Sequence, residues 1–126
     1  RYSVASRGLG DVYKRQIRDM AAYVSSMPVE RAVVNTINGD LEAGKAAYVV
    51  CQACHGSAGE GNKTLNSPRL AGLQDWYVAR QLKNFKSGIR GTKSGDMFGM
   101  QMRPMAMSLA NDEAINNVAA YIATFK

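Results

Sequence analysis

The six residues 51–56, CQACHG, contain both cysteines of the chain and its only histidine. Cys51 and Cys54 are three residues apart, so on a helical turn both thiols point to nearly the same side. His55 follows Cys51 by four residues and joins the same face. The fold must therefore leave one side of this turn open to whatever the three side chains bind.

Four kinds of chemistry use such a motif: a disulfide, a structural metal site, a redox dithiol and a covalent cofactor. A structural zinc site needs four ligands and the motif supplies three, so a carboxylate such as Glu60 would have to complete it. A thioredoxin-like dithiol needs a βαβ context that this sequence lacks, and a plain disulfide leaves His55 unexplained. C-x-x-C-H is the signature of c-type haem attachment, with histidine as the proximal iron ligand. The motif therefore favours haem.

Apolar periodicity predicts helical segments and no strand, so the predicted class is all-α. Capping and stop residues set their limits: Pro28 after a first helix from Ile17, Asp40 and Gly56 around a second, Asp75 and Gly88 around a third, and Asn111 before the last. Residues at helical spacing are predicted to form the buried stripes: Leu41, Gly44, Tyr48 and Cys51; Val78, Leu82 and Phe85; Ile115, Val118, Ala119 and Ile122. The stretches 56–72 and 89–107 are rich in glycine and other loop-forming residues, and we expect long loops there.

The segment 1–16 differs from the rest because it shows no apolar periodicity. Its last six residues, DVYKRQ, resemble the translation of a transposase adapter used in sequencing libraries, and we expect residues 1–16 to be non-native. Half of the formal net charge of +6 lies in this segment, which holds Arg1, Arg7, Lys14 and Arg15 against Asp11. The remaining charge is dispersed, without a basic stripe among aromatic residues, and we expect no nucleic-acid partner.

One internal repeat is present. The segment IRDMAAYVSSM, from Ile17, matches INNVAAYIATF, from Ile115, at an offset of 98 residues. This match predicts that residues 17–37 are the last helix of a preceding domain plus a linker, and that residues 38–126 form a complete domain.

Residues 38–126 resemble a class I cytochrome c. The resemblance rests on GDLEAGKAAYVVCQACHG, GEGN, SPRLAG, WYVARQLKNF, GIRG, a methionine-rich stretch and LANDEAINNVAAYIATF, in that order. It is closest in pattern to one domain of diheme cytochromes c and to the cytochrome c domain fused to some terminal oxidase subunits. Leu73 departs from the pattern, because glutamine commonly follows LAG. The resemblance implies three to four helices with long loops around one covalently bound haem c.

The resemblance also assigns roles to individual residues. It implies that Cys51 and Cys54 form the thioethers, that His55 binds the iron, and that the Pro68 carbonyl accepts a hydrogen bond from the other ring nitrogen of His55. Gly44 and Tyr121 resemble the family's close crossing of the first and last helices. For Trp76 and Tyr77, contact with the haem propionates and packing in the core are equally open.

The sixth ligand of the iron is less constrained, because the chain holds no second histidine. Five methionines precede the last helix: Met97, Met100, Met102, Met105 and Met107. A thioether is a soft ligand that raises the potential of haem, although most of the five must serve only to fill apolar gaps. Alignment with the family's ligand segment selects Met102, with Met105 as the next candidate and Met100 after it.

The function implied is one-electron transfer by a His/Met-ligated haem, in a carrier or relay of a respiratory chain rather than in an enzyme. The expected location is the bacterial periplasm, and the expected partners are a terminal oxidase or a quinol-oxidising complex. One alternative is the electron-entry haem domain of a larger oxidase or dehydrogenase subunit. Another is a five-coordinate haem that binds gases or turns over peroxide. No apolar run approaches the length of a membrane span.

Overall fold

The computed structural model describes the backbone of residues 4–28 and 35–126, and side chains from Val12 onward within those ranges. The described residues form helices and one isolated bridge, Asn62 with Ser67, so the predicted all-α class is confirmed. The helices are α1 (Val4–Ser26), α2 (Leu41–His55), α3 (Asp75–Lys86), α4 (Met97–Met107) and α5 (Asp112–Ile122). The chain divides into two compact units, residues 1–31 and residues 32–126.

Helix α1 makes up most of the first unit. It begins at Val4, whereas the apolar periodicity begins only at Ile17, so the helix extends into the segment that lacks this periodicity. Helix propagation is cheap once a first turn exists, and this explains how a helix extends beyond its periodic part. Its end at Ser26 agrees with the stop predicted at Pro28. Most of the predicted linker, residues 29–34, lies outside the described residues.

Helix α2 has the limits that the sequence predicts. The Asp40 carboxylate accepts hydrogen bonds from the backbone N–H groups of Glu42 and Ala43, at 2.9 and 3.0 Å, and so caps the first turn. Gly56 follows the helix with a φ of 83°, a left-handed conformation that favours glycine. The buried stripe is shorter than predicted, because Leu41 is exposed and burial begins at Gly44.

Helix α2 crosses α5 at a point where only glycine fits. A Cβ atom at Gly44 would overlap the backbone carbonyl of Asn117 and lie 2.9 Å from Cβ of Tyr121. Tyr48, one turn later, is buried and packs its ring against Tyr121 and Phe125. The crossing predicted from Gly44 and Tyr121 is therefore present, and it places the end of α2 against the core.

Helix α3 begins at Asp75, but this residue does not act as the predicted N-cap. Gln74 occupies the N-cap position, and the Asp75 carboxylate instead accepts hydrogen bonds from the Thr36 hydroxyl at 2.8 Å and the N–H groups of Thr36 and Ile37 at 2.5 and 2.7 Å. Burial alone would raise the pKa of the Asp75 carboxyl, but these hydrogen bonds, together with one from Trp76 N–H, hold it below its usual range. Asp75 thus ties the segment before α2 to α3.

Gly88, with a φ of 80°, follows the end of α3 as predicted.

The stretch 97–107 was predicted to be a loop, and this prediction is wrong, because α4 spans it. The Asp96 carboxylate accepts a hydrogen bond from Gly99 N–H at 2.9 Å and caps the helix. Gly99 then packs so closely on Gly91 that a Cβ atom at Gly91 would overlap the Gly99 carbonyl. Tertiary packing of this kind overrides the helix-breaking tendency of glycine and proline in the sequence.

Helix α5 lies at the centre of the second unit. Its N-cap is Asn111, as predicted, and the Asn111 side chain accepts a hydrogen bond from Ala114 N–H at 2.9 Å. Helices α2 and α3 both pack on α5, while α4 packs on α3. All four predicted stripe residues of α5 are buried: Ile115, Val118, Ala119 and Ile122. Within the described part of the chain, no helix is both long and apolar enough to cross a bilayer.

The α2–α5 crossing yields a stability prediction. In the holoprotein, Gly44→Ala should lower the free energy of unfolding by about 1–3 kcal/mol or more, because the new methyl group overlaps fixed backbone. Denaturant unfolding followed by circular dichroism measures the change. Ala46→Ser, at an exposed position of the same helix, should change the free energy by less than about 0.5 kcal/mol. Equal stability of Gly44→Ala and the unsubstituted protein would show that the crossing is looser than described.

Candidate functional site

A largely apolar cavity of about 570 Å³ opens among α2, α3, α4 and the loop 65–73. Its volume falls in the range of cofactor pockets. The sequence-predicted site residues all line this one cavity: Cys51, Cys54, His55, Pro68, Met102 and Met105. The fold thus brings together residues that are separated by up to 54 positions in the sequence.

His55 is the buried polar group of the cavity, with 7% of its surface exposed. Its Nδ1 atom lies 2.8 Å from the carbonyl oxygen of Pro68. A carbonyl can only accept, so Nδ1 carries the proton and donates it, which leaves the Nε2 lone pair of the neutral ring to bind a metal. The structure therefore gives His55 the tautomer and the fixed orientation that an iron ligand needs.

The backbone around His55 is held from two sides. Gly61 N–H donates to the His55 carbonyl at 2.7 Å, and the Tyr48 hydroxyl donates to the Gly56 carbonyl at 2.8 Å. Burial, with smaller contributions from the charges of Cys51, Glu60 and Tyr121, raises the pKa of Tyr48 to about 12, so it remains a neutral donor at any physiological pH. These bonds fix the turn that carries the motif.

The two thiols of the motif are not joined in a disulfide. Cys51 is half-buried, and burial, followed by the charge of Cys54, raises the pKa of its thiol. Cys54 is exposed at the cavity mouth. Among the described residues, no group of three or more His, Cys, Asp or Glu side chains is arranged to hold a metal ion by itself.

The cavity divides the five methionines of α4 into two groups. Met102 and Met105 line it, whereas Met97, Met100 and Met107 do not and are exposed. Met102 is half-buried and packs against the hydrophobic core, while Met105 is 45% exposed. Of the two methionines at the cavity, Met102 thus has the more fixed surroundings.

The two aromatic residues at the start of α3 differ in position. Tyr77 lines the cavity, whereas Trp76 does not. Neither packs in the core, because both rings are exposed and contact each other edge to face at 5.9 Å between centroids. Of these two residues, only Tyr77 is therefore placed to contact a cofactor bound in the cavity.

Arg90 is a cavity residue that the sequence analysis did not single out. Its Nη1 donates to Gln81 Oε1 at 2.9 Å, and its guanidinium carbon lies 4.4 Å from the centroid of the Phe85 ring. No carboxylate among the described residues forms an ion pair with it. The other cationic wall residue, Arg69, donates to the carbonyls of Ala71 and Lys126. The sequence contained Arg90 only as part of the GIRG segment of the resemblance, and its contacts with Gln81 and Phe85 are visible only in the structure.

Comparison with known proteins agrees with this geometry. The model of the family described as "Cytochrome c" matches residues 41–126. Cytochrome c4 of Azotobacter vinelandii is 36% identical over 126 aligned residues, which cover 91% of this chain. The thiosulfate dehydrogenase electron acceptor of Stutzerimonas stutzeri is 35% identical over 101 residues, or 80% of this chain. The crystal structure of reduced cytochrome c4 from Pseudomonas stutzeri superposes on 71% of the chain with a TM-score of 0.55 and 33% identity.

The chain spans only part of each of these relatives. The matched region covers 57% of the A. vinelandii cytochrome c4, 43% of the S. stutzeri electron acceptor and 47% of the crystallised chain. About half of each relative therefore has no counterpart in this chain.

The residues at the cavity fit a covalently attached haem. The apolar wall suits a porphyrin, the two thiols of one helical turn suit thioether bonds, and His55 offers Nε2 with its other nitrogen engaged. Cys51, Cys54 and His55 would hold the group, and Met102 and Met105 of α4 offer thioethers at the same cavity. When bound, the haem supplies a one-electron couple between Fe(III) and Fe(II).

The uncompensated charge of Arg90 yields a prediction about the potential. Arg90→Gln should lower the reduction potential of the haem, because a nearby positive charge favours the reduced state, whose net charge is one unit lower. An interaction on the order of 1 kcal/mol corresponds to some tens of millivolts for one electron. Spectroelectrochemical titration measures this shift.

Arg80→Gln is the matched control, because it removes the same charge from an exposed position of α3 that does not line the cavity. Its shift should be clearly smaller at moderate ionic strength. Equal shifts for the two variants would mean that only the net charge matters, and that Arg90 has no local role.

Proposed function

Because the chain belongs to the cytochrome c family, we propose that it is one half of a two-domain electron carrier in which His55 and Met102 ligate the haem iron. The chain carries one covalently bound haem c, and its chemistry is one-electron transfer rather than conversion of a substrate. The single observation that carries the proposed ligation is the convergence of Cys51, Cys54, His55 and Met102 on one apolar cavity.

In this proposal His55 and Met102 would bind the iron in both of its oxidation states. The Pro68 carbonyl orients the His55 ring and makes its Nε2 a better donor, because it accepts the Nδ1 proton. Met102 supplies a soft donor that favours Fe(II) and so raises the potential. With His55 and Met102 both bound, the iron would have no position for a substrate, and this favours electron transfer over gas binding or peroxide chemistry.

The proposal of a preceding domain is supported by the different burial of the two repeat segments. In α5, Ile115 and Val118 are 0% and 1% exposed, because α2 and α3 pack on them. The matching residues of α1, Ile17 and Met20, are 61% and 68% exposed. An apolar stripe of this kind is stable only when another element covers it. The proposed cover is the first helix of a preceding cytochrome domain, in the place that α2 takes on α5.

We extend the proposal to location and partners from the relatives. Cytochrome c4 proteins of Gram-negative bacteria and an electron acceptor of thiosulfate dehydrogenase are among them. The proposed location is the periplasm, where a dehydrogenase or a quinol-oxidising complex would reduce the haem and a terminal oxidase would reoxidise it. Both cysteines are spent on haem, which leaves no disulfide to form in that oxidising compartment.

The ligation is tested by Met102→Ala in the holoprotein. The variant should lose the charge-transfer absorption band of Met-ligated Fe(III), bind CO readily when reduced, and show a potential lower by about a tenth of a volt or more, within the roughly 0.8 V range that axial ligands span. Absorption spectroscopy and redox titration measure these changes.

Met105→Ala is the matched control, because Met105 lies on the same helix and at the same cavity. It should keep the band and change the potential little. If the band disappears in Met105→Ala and survives in Met102→Ala, Met105 rather than Met102 is the ligand. A high-spin spectrum of the unsubstituted protein that responds to CO would contradict the carrier function altogether.

The two-domain arrangement predicts a second C-x-x-C-H motif about 98 residues before Cys51, at the offset of the internal repeat. Sequencing of the parent gene upstream of this segment locates the motif, and a pyridine haemochrome assay on the parent protein should count two haems per chain. Upstream membrane helices with copper ligands would instead indicate an oxidase subunit, and would contradict the two-domain carrier.

A further inference from the structure

We propose that Lys86 is a positioning residue that ties the methionine-bearing helix α4 to α3 and thereby sets the strength of the methionine–iron bond. This inference rests on the proposed ligation of the iron by a methionine of α4. It holds for Met102 and for Met105 alike, because both belong to that helix.

The tie consists of two hydrogen bonds from one ammonium group. Lys86 lies in the last turn of α3, and its Nζ donates to the backbone carbonyls of Leu109 and Ala110, the second at 3.0 Å. These two residues belong to the short connection between α4 and α5. The Leu109 side chain is itself buried and lines the cavity. A single side chain of α3 therefore fixes the point where α4 ends.

Helix α4 has few other anchors of comparable strength. Its buried residues are Gly99 and Ala106, which offer little apolar surface. Pro104 has no N–H to donate within the helix, and the Ser108 N–H is shared among carbonyls of the last turn. Three further large side chains of α4 lie away from the cavity and are exposed: Met97, Met100 and Met107. On the side away from the cavity, a helix with so little buried side-chain surface depends strongly on a polar tie.

The charge of Lys86 suits its position. The carbonyls of Leu109 and Ala110 lie just beyond the C-terminal end of α4, which carries partial negative charge, so a cation near this end of α4 is favourable. Hydrogen bonds from a charged donor contribute more than neutral ones, and Lys86 is half-buried, which reduces screening by solvent. No carboxylate in the described residues forms an ion pair with its ammonium group.

Lys83 offers an internal comparison, because it lies three residues earlier on α3 and reaches Asp112, the first residue of α5. Its Nζ pairs with the Asp112 carboxylate at 2.7 Å, and both side chains are exposed to solvent. Exposed ion pairs contribute little to stability. Loss of the Lys83 charge should therefore leave the position of α4 unchanged, whereas loss of the Lys86 charge should not.

The strength of the methionine–iron bond can be measured by competition. Imidazole added to the oxidised holoprotein displaces a methionine ligand, and its apparent affinity rises as that bond weakens. Lys86→Leu should raise the apparent imidazole affinity by about tenfold, the factor expected when charge-assisted hydrogen bonds are lost. Lys83→Leu should change the apparent imidazole affinity by less than about twofold. Lys86→Arg, which keeps the positive charge, should leave the affinity close to that of the unsubstituted protein.

Imidazole binding is also measured for Lys86→Gln, Met102→Ala and Met105→Ala. Lys86→Gln, which is neutral but polar, replaces Lys86→Leu if that variant yields no holoprotein, and its apparent imidazole affinity should rise severalfold. Unchanged imidazole affinity in these variants, with or without lower stability, would overturn the proposal, because Lys86 would then be only structural. If Met102→Ala and Met105→Ala both leave imidazole binding unaltered, the proposed ligation has failed, and the role of Lys86 fails with it.

Discussion

The close approach of α2 to α5 at Gly44 is the contact on which the site depends. At this point the two backbones meet where any side chain would overlap the Asn117 carbonyl, and this contact fixes the position of α2 along the axis of α5. From that point α2 extends rigidly to its last turn, where Cys51, Cys54 and His55 stand. A helix rises 1.5 Å per residue, so a shift of the crossing by one turn would move the motif by about 5 Å. Gly44 thus determines where the side chains of Cys51, Cys54 and His55 lie.

The remaining parts of the site are arranged around that fixed turn. The Pro68 carbonyl orients His55, and Gly61 N–H and the Tyr48 hydroxyl hold the backbone on either side of it. Helix α3, which packs on α5, supplies much of the apolar wall, and α4 packs on α3 in turn. The helix that carries His55 therefore packs directly on α5, whereas α4, which carries the methionines, makes its main helix contact with α3. This asymmetry is the reason why we expect single polar contacts to matter more for α4 than for α2.

Local signals in the sequence predicted the elements whose causes are local. Asp40 and Asn111 cap their helices through their own neighbours, and the stripe of α5 follows simple helical spacing. Asp75 looks like a cap for the same reason, but its carboxylate is engaged by Thr36 and Ile37, almost forty residues earlier, which no local pattern reveals. The class of cofactor was predictable because the whole attachment motif lies within six consecutive residues. The position of Arg90 at the cavity was not predictable, because it depends on contacts with Gln81 and Phe85 of helix α3.

The incorrect prediction for residues 97–107 has the largest consequence for the site. In a loop, the spacing of five methionines would carry no geometric meaning, and each could reach the iron. In a helix, successive residues turn by about 100°, so positions three apart share a face. Met102 and Met105 are such a pair and face the cavity, while Met97 and Met100 form another pair that faces solvent. The helix itself therefore reduces five candidates to two, and the deeper burial of Met102 then favours one of them.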